Sequence, residues 1–173
     1  SFVSRNINTG LDIPWNHPDD SENDYNKSYI GKDNTIVLDK ITPEHIEVCD
    51  ILKWDDDNLY FYHVKAGFGN TMRDLCAQVL IADKRVSQDV NASGEFIEKT
   101  YATLRDKIGG TEYFDLAGRQ TETYSETAFK ELFNKKLVFV LAVLDTSTRG
   151  ERDLREIESF SSNIAKLSLQ ELV

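Results

Sequence analysis

The chain has 173 residues, 40% of them apolar, which is enough for one domain with a real core and gives no sign of a second. Its formal net charge of −10 argues against a sequence-independent grip on phosphate backbones through clustered Lys and Arg. It leaves open a site that meets phosphate through a metal, because such sites are themselves rich in carboxylates.

The first thirty residues are polar and acidic and do not form a signal peptide, and the longest apolar run, 137–144 (LVFVLAVL), is too short to span a bilayer. Residues 1–34 are rich in Asn, Asp, Ser and Gly and carry Pro14 and Pro18, so an irregular N-terminal segment is expected. Within it, 21–30 (SENDYNKSYI) can begin a short helix capped by Ser21 or Asp20. The rest, 35–173, reads as an α/β domain. Strands are predicted at 35–39 (TIVLD), 46–52 (IEVCDIL) and 59–65 (LYFYHVK), the last two joined as a hairpin through KWDDDN with a turn at Asp57-Asn58.

After Gly67 and Gly69 the period changes. Leu75, Val79, Ala82 and Val86 form a helical stripe, as do Ile97, Tyr101, Leu104 and Ile108, with Gly109-Gly110 ending the second helix. A shorter helix is expected at 124–133, then a strand at 137–145 that is apolar on both faces, as a central covered strand should be. A last helix is expected from Glu151, with Ile157, Phe160, Ile164 and Leu167 on one side. This order predicts a mixed central sheet flanked by helices.

Cys49 and Cys76 lie in apolar stretches without a CxxC partner and read as reduced core residues of a cytoplasmic protein. The chain opens without Met and runs helical to Val173, which raises the expectation that it is a piece of a longer polypeptide whose remainder partners it. The oligomeric state is left open.

Chemistry concentrates at one end of the predicted hairpin. Leu59, Phe61, His63 and Lys65 share one strand face; Val48, Asp50 and Leu52 share a face of the neighbouring strand, with Glu47 on the other side. A hairpin would then bring an acid, an imidazole and an ammonium together where two strands end. Three such groups need one another, water or a ligand.

This pattern resembles the PD-(D/E)XK nuclease superfamily, in which an Asp ends one strand of a hairpin and an acid-x-Lys motif lies on the next. The resemblance implies a restriction-endonuclease-like core and metal-dependent cleavage of nucleic-acid phosphodiesters, with Asp50 as main metal ligand and Lys65 at the water or phosphate. It further implies Glu22, in a preceding helix, as a second acid and Gln78, in the following helix, as an orienting amide. Here the triplet is His63-Val64-Lys65, so His63 takes the place of the second acid. Imidazole suits Mn²⁺ or Zn²⁺ better than Mg²⁺, and the expected cofactor is Mg²⁺ or Mn²⁺ held by Asp50, Glu22 and His63. The succession of Glu22, Tyr25 and Asn26, then Ile46 to Asp50, His63 to Lys65, Ala77-Gln78 and Phe160 to Ile164 also resembles a sporadically distributed bacterial protein family of unknown function. That resemblance implies a phage-defence or mobile-element setting.

Each residue has a structural alternative. Asp50 can be a turn or cap residue, His63 a satisfied half-buried histidine, Gln78 a core-edge amide and Glu22 a solvated charge. Tyr60-Phe61-Tyr62 reads as sheet packing rather than a base-stacking platform, since no basic residue interleaves with it. Three functions therefore stand side by side: a metal-dependent nuclease, an inactive nuclease-like fold that binds nucleic acid or a partner protein, and an unrelated interaction module.

Overall fold

The structure, a computed structural model, describes residues 10–16, 19–67, 72–144 and 146. The helix expected from Glu151 lies outside them. In chain order the elements are α1 (Glu22–Lys27), β1 (Thr35–Val37), β2 (Ile51–Trp54), β3 (Asn58–Ala66), α2 (Met72–Val90), α3 (Glu95–Arg105), α4 (Glu112–Thr123), α5 (Glu126–Leu132) and β4 (Lys136–Leu144). One mixed sheet runs β1-β2-β3-β4, with β1, β2 and β3 antiparallel and β4 parallel to β3. Helices flank it, as the sequence predicts. No described helix is long and apolar enough to cross a membrane.

Strand alternation sorts the core into two layers. Ile36, Leu52, Leu59, Phe61, Leu137 and Phe139 face the long helices and pack with Val86 of α2, Phe96, Ile97, Tyr101 and Leu104 of α3, Ala117 of α4 and Phe129 of α5. Phe61 stacks on Phe139 with ring centroids 4.4 Å apart, which follows from their facing positions in the parallel register. On the other face Val37, Ile51, Tyr62, Val64 and Leu144 meet Tyr25 and Tyr29, with Leu11, Ile13 and Trp15 packed against them. The N-terminal segment is thus part of the fold: its apolar residues roof one side of the sheet.

Local signals explain most of these elements. Ser21 closes a capping box with Asp24 at the start of α1. Asp55 accepts from the backbone N–H groups of Asp57 and Asn58, so the acidic turn is an Asx-type turn delivering the chain into β3. The apolar stripe of α2 is buried as predicted.

Four predictions need correction. The strand expected at 46–52 begins only at Ile51, because Pro43–His45 forms a 3₁₀ turn and residues 46–50 stay irregular. Helix α4 was not anticipated; its burial rests on small and polar residues, Ala117, Gly118 and Gln120, rather than an apolar stripe. Ile108 is exposed and lies beyond the end of α3. Finally, β4 is the terminal strand of the described sheet and mostly half-buried, whereas two-sided apolarity pointed to a central one. Apolarity on both faces reports covering layers and says nothing about lateral neighbours.

A carboxylate cluster at the end of the sheet

The register pairs Ile51 with Tyr62, so a straight strand would set Asp50 opposite His63. Instead the Asp50 N–H bonds the Tyr62 carbonyl at 2.9 Å, and the Asp50 side chain turns along the sheet edge. Its Oδ2 accepts the N–H of Val64 at 2.6 Å and its Oδ1 the Asn26 amide at 3.3 Å. One step further along β3, Glu22 Oε2 accepts the Ala66 N–H at 2.7 Å. Two carboxylates from outside the sheet thereby replace the missing continuation of β2 and satisfy the N–H groups that would face it.

Glu22 also forms an ion pair with Lys65, Nζ lying 3.3 Å from Oε2. Lys65 therefore leans toward α1 and the strand edge, beside the acids.

Two further acids join Asp50. Asp39 follows β1 and sends its N–H to the Asp50 carbonyl at 3.1 Å. Glu47 is returned to the same place by the loop between them, whose Lys40 N–H bonds Glu47 Oε2 at 3.1 Å. That loop is strained: Lys40, Glu44 and His45 adopt φ of 62°, 53° and 62°, values that non-glycine residues seldom take. Glu44 anchors it by ion pairs to Arg85 of α2 at 3.1 Å and Lys99 of α3 at 2.9 Å. One oxygen each from Asp39, Glu47 and Asp50 lies within 4.8 Å of the others. The Tyr113 hydroxyl of α4, 3.1 Å from Asp39 Oδ2, donates into the group.

Burial and like charge raise the proton affinity of two of these carboxylates, Asp50 and Glu47. Burial raises Asp50 well above the usual carboxylate range, and the charges of Glu47, Asp39 and Glu22 add to it against the Val64 N–H bond. Burial likewise raises Glu47, with Asp39 and Glu22 contributing. Tyr113 is pushed up by burial and by Asp39. The donor set is all oxygen, hard and anionic, which suits Mg²⁺ or Mn²⁺. Ligands about 2.1 Å from a cation lie at most roughly 4.2 Å apart, so small side-chain movements would close the three oxygens on an ion. Asn26, whose Nδ2 contacts Asp50, also carries a buried side-chain oxygen without a donor, Oδ1.

The five residues singled out from sequence meet different fates. Asp50, Glu22 and Lys65 come to one end of the sheet. His63 does not join them. It is 1% exposed, lies on the helix-covered face in register with Leu141, and its Nε2 has no partner. Burial alone pushes its pKa down to about 4, with no carboxylate contributing. The expectation of an imidazole ligand beside Asp50 is thus corrected: strand alternation sends His63 into the apolar layer, while the departure from register turns the Asp50 carboxylate along the edge. Gln78 is exposed on α2, off the stripe that faces the sheet, and does not reach the acids. Glu47, expected on the far side of a strand, is in the cluster because no strand exists there.

Asp39, Glu47, Asn26 and Tyr113 were missed as site residues. One signal was available: 37–39 (VLD) and 48–50 (VCD) both end an apolar run on Asp, as adjacent chain segments closing at one sheet end would.

Residues 1–161 match the model of a family of unknown function, DUF6119. No curated protein and no solved structure matches the chain.

Proposed function

We propose that this chain, which belongs to the family of unknown function DUF6119, is a nuclease-like domain that cleaves nucleic-acid phosphodiesters with a divalent cation. The observation that carries this reading is the meeting of Asp39, Glu47 and Asp50 within 4.8 Å at the strand end that also bears Lys65. The succession α1-β1-β2-β3-α2, followed by β4 after three further helices, carries an acid on α1, an Asp entering the hairpin and a Lys leaving it, and is in keeping with the PD-(D/E)XK resemblance. His63 takes no part, and the acid its position lacks is supplied by Asp39 and Glu47.

Asp39, Glu47 and Asp50 would hold Mg²⁺ or Mn²⁺. When bound, such an ion neutralises phosphate charge and lowers the pKa of water. The chain's own residues do the rest. Glu22 fixes Lys65 at the rim, where the ammonium can donate to a phosphate oxygen or to the attacking water. Tyr113 and the Lys40 N–H hold Asp39 and Glu47 in place. Asp50 is held by Val64 and Asn26, so its carboxylate keeps one orientation. The bacterial phage-defence or mobile-element setting, and a cytoplasmic location in keeping with two buried cysteines that form no disulfide, belong to the same proposal.

One observation favours a second reading, a binding module without catalysis. Asp50 and Glu22 each spend an oxygen on closing the edge of β3, a purely structural task. Incubation of plasmid, single-stranded DNA and RNA with the chain in Mn²⁺ or Mg²⁺ separates the two. Cleavage that falls at least 100-fold in Asp39→Asn and in Lys65→Ala, while both variants stay folded, supports the nuclease. Retarded but uncut nucleic acid, indifferent to metal, supports the module.

A further inference from the structure

Asn26 sits in α1 at 1% exposure, and its side chain is used at only one end. The Nδ2 donates to Asp50 Oδ1 at 3.3 Å, a long contact for such a bond. The Oδ1 is buried and has no donor. Buried acceptors almost always have a partner, and a site that withholds one invites a group the chain itself does not contain. Here the neighbour is a cluster of three carboxylates, which already selects for positive charge.

We propose that Asn26 completes the cation site, its side-chain carbonyl serving as a neutral oxygen ligand beside Asp39, Glu47 and Asp50. This rests on the cation reading above and extends it to a residue on a separate element. The chemistry is consistent: amide carbonyls are ordinary ligands of hard cations, and a neutral oxygen adds coordination without adding repulsion. It also gives a use to the first helix. Glu22 and Asn26 stand four apart, on neighbouring positions of one helical face, and each meets the exposed edge of β3 or its Asp50 cap. Helix α1, already seated on the sheet through Tyr25 and, just beyond its end, Tyr29, would then tie the cation to the N-terminal roof.

The test is titration of the chain with MnCl₂ and MgCl₂ by calorimetry, alongside the melting temperature with and without each salt. It uses wild type, Asn26→Leu and Asn26→Asp. A ligand role predicts that Asn26→Leu weakens Mn²⁺ binding by about 10–100-fold. It also predicts that Asn26→Asp, which offers a charged oxygen at the same place, melts lower than wild type without cation and gains more from cation than wild type does. If Asn26 only donates to Asp50, Asn26→Asp loses stability equally with and without cation and binds more weakly; that result overturns the inference and leaves the carboxylate site standing. Wild type that binds neither salt overturns the inference and the cation reading together, while cation binding without any cleavage of nucleic acid removes only the nuclease.

Discussion

At the scale of single residues, side chains here stand in for backbone. Asp50 and Glu22 take two N–H groups of β3, and Gln120 serves edge strand β1 in a similar way. Its Oε1 accepts the Val37 N–H at 2.8 Å and its Nε2 donates to the Val37 carbonyl at 2.9 Å, so one amide acts as a one-residue strand beside β1. Removing it strands two buried backbone groups, at about 1–3 kcal/mol each. Gln120→Ala is therefore expected to cost about 2–6 kcal/mol in urea denaturation, well beyond an ordinary surface change. None of these substitutions for backbone is visible in sequence, because each depends on where the ladder stops. Asp50 and Glu22 read as candidate metal ligands and Gln120 as an ordinary polar residue, and none reads as a partner for backbone until the strand ends are known.

At the scale of elements, packing of α4 on α3 depends on one glycine. A Cβ built on Gly118 would lie 2.7 Å from the Ile108 N and 3.0 Å from the Leu104 carbonyl, both backbone atoms that cannot swing aside. Gly118→Ala is expected to push α4 away from α3, lowering stability by about 1–3 kcal/mol as an overpacked contact. Because α4 carries Tyr113, the same change should also loosen Asp39. Thermal melting of Gly118→Ala, with a Mn²⁺ titration of the folded fraction, checks both effects. The strained segment from Lys40 to Glu47 belongs to this scale as well. Its ion pairs to Arg85 and Lys99 tie a loop to two helices and so fix where Glu47 arrives.

For the whole molecule, two opposing titrations set the dependence on pH. The folded pKa of His63, about 4, lies below its ordinary 6.5, so the native state binds fewer protons between those values. Stability from this group is present above pH 6.5 and is lost as pH falls toward 4, by roughly 3 kcal/mol from the size of the shift. Asp50 and Glu47 act in the opposite sense. Their raised folded values let the native state hold protons that the unfolded chain has released, so stability falls as pH rises above the ordinary carboxylate range. In a His63→Leu variant the loss between about pH 6.5 and the carboxylate range should disappear, leaving a melting temperature that declines from about pH 4.5 toward neutrality. Saturating Mn²⁺ should flatten that decline, since a cation at 100 times its dissociation constant adds about 2.7 kcal/mol. A melting profile in which Mn²⁺ has no effect at pH 7 would count against the cation site.

The sequence by itself determined the fold class, the hairpin, the stripe of α2 and most of the stripe of α3, because side-chain periodicity and turn chemistry are local. Only the tertiary structure decided which polar groups meet. A departure from straight register sent the Asp50 carboxylate along the sheet edge, and a strained loop returned Glu47 to Asp39. The physical reason is that a carboxylate cluster depends on long-range closure, through strand register and loop path, neither of which has a period to be read.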